Sequence, residues 1–275
     1  MKREWIIGAV LLASACAQRQ SDVMQGYGEA DYIYLASQEA GVVHELDVAE
    51  GQTVKAGDLI FRLDPDRLSL NAESASASRS ALVQAVRAAE ANARLTQTNF
   101  TRSQQLFTQG FQSQAALDNA RAARDQAAAQ LQQARRELNA SGADRNLADV
   151  RVNDLSVDAP KAGHIERIFH RQGEVVAAGA PIASLLAPEN MKVRFFAPED
   201  MLAHLRPGAQ VRLSCDGCAA NLTGHIIRVA DEPQFTPPVI YSLDQRQKLV
   251  FLVEARPDQV DSIRPGLPVD VRIAP

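Results

Sequence analysis

Between Asp66 and Val157 the chain has no proline, and its only glycines there are Gly110 and Gly142. Alanine, glutamine, arginine, leucine and serine take their place, a composition that favours long helix and opposes strand. Aromatic residues make up 5% of the chain, and the net charge is −4 with both signs interspersed. The stacking platforms and basic stripe of a nucleic-acid binder are both missing. No P-loop, GxGxxG or Ser-His-Asp order occurs, so no catalytic or nucleotide site, and no cofactor, follows from the sequence. His44, His164, His170, His204 and His225 are scattered without metal-ligand spacing, which makes surface or packing histidines the default. The N-terminal apolar run Trp5–Leu12 is too short to span a bilayer.

What the chain does contain is a long-range repeat. Gly41–Ile60 returns, degraded but in register, as Gly163–Ile182; Gly41 and Gly163, Gly51 and Gly173, and Gly57 and Gly179 each stand 122 positions apart. Both copies read G-x-[VI]-x-x-[LI]-x-x-x-x-G-x-x-V-x-x-G, short alternating strands joined by glycine turns. Neither copy can bury its apolar face alone, so the two must fold against each other and the residues between them form an insertion.

Heptad spacing predicts two long helices in that insertion. Ala72, Arg79, Val86, Ala93, Phe100 and Phe107 share one seam position; Leu68, Ala75, Leu82, Ala89, Thr96 and Ser103 share the other. The second helix gives Leu117, Arg124, Leu131 and Leu138 with Ala120, Ala127 and Ala134. Pro65 suits a first helical turn with Asp64 as its cap, and Gly110 suits a helix C-terminus. An alanine seam allows close approach but buries little area, so the hairpin alone is only modestly stable. Roughly 40 residues per arm predicts a rod of about 60 Å.

The repeat resembles the two halves of a biotinyl/lipoyl domain, a flattened β-sandwich. No Met-Lys-Met or Asp-Lys-Ala hairpin joins the halves, so the swinging-arm chemistry of a carrier has no lysine to act on. At the turn of the insertion, Arg102, Leu106 and Ser113 are spaced R-x3-L-x6-S. This resembles the tip motif of the HlyD-type membrane fusion proteins, periplasmic adaptors of tripartite exporters, where it docks with a TolC-like outer-membrane channel. Arg102 and Leu106 are four apart and outside the seam, so both can project from one free face; the plainer reading is a solvated arginine and a leucine covering the turn. Met191–Met201 and Leu205–Leu213 resemble the opening of the adaptors' β-barrel domain. Phe235-Thr236-Pro237-Pro238, Gln247–Ala255 and Arg264–Ile273 look like the subgroup that works with ABC-type exporters.

The resemblance implies an elongated, multi-domain α+β protein. Its expected parts are a lipoprotein-type signal peptide at 1–15, a linker at 16–26, and an N-terminal strand at 27–40 joining barrel and lipoyl domain. Then come a split lipoyl-like sandwich at 41–64 plus 158–187, an α-helical hairpin at 65–157, and a β-barrel at 188–275. The implied partners are an inner-membrane transporter, of ABC type if the chain follows that subgroup, a TolC-like channel, and further copies of the chain in a hexamer. The implied role is conduction and sealing in efflux or secretion, not catalysis. Gln172, in the strand-to-turn segment of the second half, corresponds to a glutamine that in some adaptors gates the central channel; it also reads as an exposed turn glutamine.

Lys2 and Arg3 before the apolar run, then Ala13-Ser14-Ala15-Cys16, match a secretory signal. The small residues before Cys16 resemble a lipobox, which implies a lipidated N-terminus and a periplasmic, inner-membrane-anchored protein; simple cleavage nearby is the other outcome. Cys215-Asp216-Gly217-Cys218 sits at an expected hairpin, where an oxidising compartment would close a small-loop disulfide and a reducing one would leave two inert thiols. A coiled-coil envelope scaffold or adhesin would keep the rod without using the tip, and a biotin or lipoyl carrier would need a modified lysine.

Overall fold

The computed structural model describes residues 23–235, 249–259 and 262–274. The signal segment, Cys16, Thr236-Pro237-Pro238 and Gln247-Lys248 lie outside the described residues. Two compact units emerge, one from Tyr34 to Leu185 and one from the described residues on either side.

The first unit contains the repeat. Strands β3 (Gly41–Leu46), β4 (Thr53–Val54) and β5 (Leu59–Leu63) precede the insertion; β7 (Gly163–Ile168), β8 (Val175–Val176) and β9 (Pro181–Leu186) follow it. The two sets exchange partners. Thr53 and Val54 pair with His164 and Gly163, as Val175 and Val176 pair with Val42 and Gly41. The turn contacts repeat too: Gly51 N–H donates to Ile165 O at 2.7 Å, and Gly173 N–H donates to Val43 O at 2.8 Å.

The symmetry reaches further than the glycine pattern indicates. Strand β2 (Ile33–Ala36) flanks β9, just as β6 (Ser156–Asp158) flanks β5, which gives the sheets β2-β9-β7-β4 and β6-β5-β3-β8. Gly57 N–H reaches Ala159 O and Gly179 N–H reaches Ser37 O, both at 2.8 Å. The stretch 27–40, expected as one joining strand, is therefore divided: β1 (Met24–Ala30) belongs to the barrel and β2 to the sandwich. Val43, Ile60, Phe61, Leu63, Ile165, Ile182 and Leu185 are buried apolar side chains of these strands.

Helix α1 (Asp66–Thr108) and helix α2 (Gln114–Asn153) form the insertion, 43 and 40 residues long. At 1.5 Å per residue α1 spans about 65 Å. Pro65 is its N-cap residue, one place later than expected, with its carbonyl accepting from Ser69 N–H, and Asp64 Oδ1 accepts from Asp66 N–H at 2.9 Å. Each expected seam position is buried or half-buried except Arg79, which is exposed. Arg124 holds its seam place by laying its guanidinium 4.4 Å over the Phe100 ring while pairing with Asp125. Between the helices Arg135 and Glu90 form an exposed ion pair at 2.9 Å.

The second unit is a closed six-stranded barrel in the order β1-β10-β13-β12-β11-β14. Its further strands are β10 (Met191–Pro198), β11 (Gln210–Ser214), β12 (Leu222–Phe235), β13 (Leu249–Pro257) and β14 (Pro268–Ile273). Strict alternation along β10 sends Val193, Phe195 and Ala197 inward, where they meet Val211, Leu213, Val253 and Val271. Gly28 of β1 has no room for a side chain, because a Cβ there would lie 2.3 Å from the Arg264 carbonyl. Outside the barrel Lys192 sits between Asp31 and Glu254; burial works to lower its pKa, but these carboxylates hold it above the usual ammonium value.

Candidate functional site

The turn of the hairpin is built as a Schellman motif. Gly110 adopts φ +79°, a left-handed conformation that glycine takes without steric cost. Its N–H donates to Phe107 O at 3.0 Å, and the Phe111 N–H reaches back to Leu106 O at 2.9 Å. Ser113 then opens α2 as its N-cap, its Oγ accepting from Ala116 N–H at 3.3 Å. The three residues of the tip pattern thus have different local duties. Ser113 fixes the start of α2, Leu106 supplies the carbonyl that closes α1, and the Arg102 side chain has no hydrogen bond or ion pair among the described residues.

Arg102 and Leu106 are both exposed, Leu106 to 38%. Arg102 lines an open recess of about 310 Å³ with Gln97, Thr98, Thr101 and Gln105, all on α1. Phe111, which the spacing argument passed over, is 80% exposed. Its position directly after the terminating glycine was readable in the sequence; its exposure was not.

Gln172 lies in the turn between β7 and β8, exposed, with its Nε2 donating to the His44 carbonyl at 2.7 Å. His170 and Glu174 flank it and pair at 2.9 Å, which, with the Arg171 backbone N–H, lowers the Glu174 pKa below the ordinary carboxylate value. Beside this turn Val42 and Val175 are register partners and both exposed, Val175 to 77%. An amide tied to its own sandwich and two exposed valines make a polar-apolar edge on that sheet.

In the barrel, Cys215 and Cys218 are joined as a disulfide in the loop between β11 and β12, with Cα atoms 5.3 Å apart. Both are half-buried against the barrel core. His225 Nδ1 lies 2.8 Å from an Asp258 carboxylate oxygen, and Asp258 also accepts from the Thr223 hydroxyl at 2.6 Å. The Thr223 contact is the main cause of a lowered Asp258 pKa, burial opposing it and His225 adding to it. Among the described residues no three His, Cys, Asp or Glu side chains are placed to hold a metal ion. No helix among them is long and apolar enough to cross a membrane.

Residues 32–187 match the family described as RND MFP, barrel-sandwich hybrid domain. The chain is 26% identical over 136 residues to a UPF0194 membrane protein from the asrC 5′ region of Acidithiobacillus ferridurans, covering 49% of this chain and 40% of that protein. It is 27% identical over 204 residues to the uncharacterised protein YdhJ of Escherichia coli K12, covering 72% of this chain and 64% of YdhJ. The chain thus spans less than two thirds of the length of either relative. Among solved structures, MacA from Actinobacillus actinomycetemcomitans superposes with a TM-score of 0.76 at 18% identity, covering 92% of this chain and 78% of MacA. At that identity the likeness is one of fold.

Proposed function

The chain belongs to the RND membrane fusion protein family through its barrel-sandwich hybrid domain, and from that premise we propose that it is a periplasmic adaptor subunit of an efflux or secretion system. Proteins of this family are adaptors and not enzymes. In this reading the barrel and sandwich attach to an inner-membrane transporter and the hairpin reaches a TolC-like outer-membrane channel. The observation that carries it is the pairing of two features: a sandwich split by a two-helix insertion, and an exposed Arg102–Leu106 face at the turn of that insertion.

The finer parts of the proposal have separate supports. The resemblance of the C-terminal strands favours an ABC-type transporter, whereas the matching family carries the RND label; co-purification with an ATP-hydrolysing or a proton-driven permease separates them. The exposed Val42 and Val175 beside Gln172 suit contact with a neighbouring protomer in a hexameric ring, with Gln172 facing the conduit. Lipidation at Cys16 would hold the chain on the inner membrane, and an oxidising periplasm suits the Cys215–Cys218 bridge.

Placing a carboxylate at the tip tests the core of the proposal. Arg102→Asp and Leu106→Asp, each made singly, are expected to abolish export and cross-linking to the channel while leaving helix content unchanged. Export and cross-linking at wild-type levels in both variants would favour an envelope scaffold that does not use its tip.

A further inference from the structure

The tip is unusual in charge as well as in shape. From Ser103 through Leu117 the sequence has no Asp, Glu, Lys, Arg or His, the longest uncharged run in the hairpin. Arg102 and Asp118 bound it. At its centre Phe111 is the most exposed large apolar side chain among the described residues. In a Schellman turn the residue after the left-handed glycine commonly packs against the residue whose carbonyl it binds. Here those two are Phe111 and Leu106, yet Phe111 remains 80% exposed and Leu106 38%.

The backbone beneath Phe111 is nonetheless fixed. Its N–H is bonded to Leu106 O, Gly110 before it is held at φ +79°, and Ser113 two residues later caps α2. A rigid backbone presenting one solvent-exposed aromatic, with neutral surroundings, is the arrangement of an interface anchor that enters a pocket on its partner. Little side-chain freedom is lost on docking, because a phenylalanine has only two rotatable bonds to fix.

We infer that Phe111 is the affinity-determining anchor of the tip, inserting into an uncharged, apolar pocket of the outer-membrane channel, with Arg102 setting the geometry in which it docks. This rests on the adaptor reading above. A lipid surface fits the tip less well. Membrane-binding segments combine a broad apolar face with several basic residues, and this turn exposes one phenylalanine and one leucine, with Arg102 as its single flanking cation.

The test uses the full chain and the purified TolC-type channel of the same organism, with affinity measured at low and high salt. Phe111→Ala is expected to weaken binding by about 30-fold, with ellipticity unchanged, and wild-type binding is expected to persist at high salt, as an apolar anchor requires. Phe111→Leu should recover most of the affinity. If Phe111→Ala binds like wild type while Leu106→Asp does not bind, the anchor inference fails and the adaptor reading stands. If the wild-type chain does not bind the channel, or partitions instead into neutral lipid vesicles through Phe111, both fail.

Discussion

The hairpin and the barrel achieve order by opposite means. In α1, 43 residues bury only Val86, Phe100 and Ser103, and in α2, 40 residues bury only Leu117, Ala127, Ser141 and Ala148. The barrel buries a continuous cluster that includes Val193, Phe195, Val211, Leu213, Val253 and Val271. Helix hydrogen bonds close within four residues, so a helix lengthens without needing a core at each step. Barrel hydrogen bonds join strands far apart in sequence, and only a filled interior holds them in register. The contrast explains how one chain supplies both reach and a firm mount.

Removing the largest side chains should expose that difference first. Phe195→Ala, in a site with no exposure, is expected to cost about 5 kcal/mol and to strip hydrogen-exchange protection from the barrel amides together. Phe100→Ala, at a seam site that is 8% exposed, should cost about 3 kcal/mol, at the lower end for such changes because one side of the seam can relax toward water. It should also free Arg124, so protection should fall near the tip and persist toward the hairpin base. Equal, global loss in both variants would show that the two regions unfold as one.

A smaller effect of opposite sign is expected at Ser103. Its hydroxyl is buried in the seam with no hydrogen-bond partner among the described residues, so Ser103→Ala removes an unsatisfied group and improves helix propensity. The hairpin should gain about 1 kcal/mol, read from its thermal transition; a loss would mean that the hydroxyl is satisfied in solution.

The smallest effect belongs to the barrel surface and to acid. The Thr223 hydroxyl, more than His225, holds the Asp258 pKa below its usual value. The resulting stability is present above the ordinary carboxylate range and is lost as pH falls through the lowered folded value. Since the Asp258 side chain is 38% exposed, its contribution is only a few tenths of a kcal/mol. Asp258→Asn should therefore destabilise the barrel slightly at neutral pH, with the difference vanishing on acidification. A difference that grows toward low pH would reverse the sign of this assignment.

Much of the fold was readable in one dimension. The 122-residue register, the seam of the hairpin and the helix stop at Gly110 all follow from local patterns, since turn glycines and heptads act over a few residues. The exceptions are informative. Arg79 and Arg124 occupy equivalent seam slots, but only Arg124 finds an aromatic ring to cover, and Arg79 turns to solvent. Strands β2 and β6 share the repeat offset without sharing its glycines, so their equivalence appears only in the sheet order.

The candidate site divides in the same way. Arg102 and Leu106 were legible as neighbours on a helix face, and Ser113 as a residue suited to begin a helix. That Phe111 stands in solvent, and that Gln172 is tied to the His44 carbonyl across 128 positions, could not be read from spacing. The sequence by itself determined where the chain is helical, where it repeats and where the hairpin turns, because periodicity and glycine placement act locally. Only the tertiary structure decided which strands share a sheet, which polar groups are paired and which apolar side chains stay in water, because each of those depends on neighbours that sequence distance does not reveal.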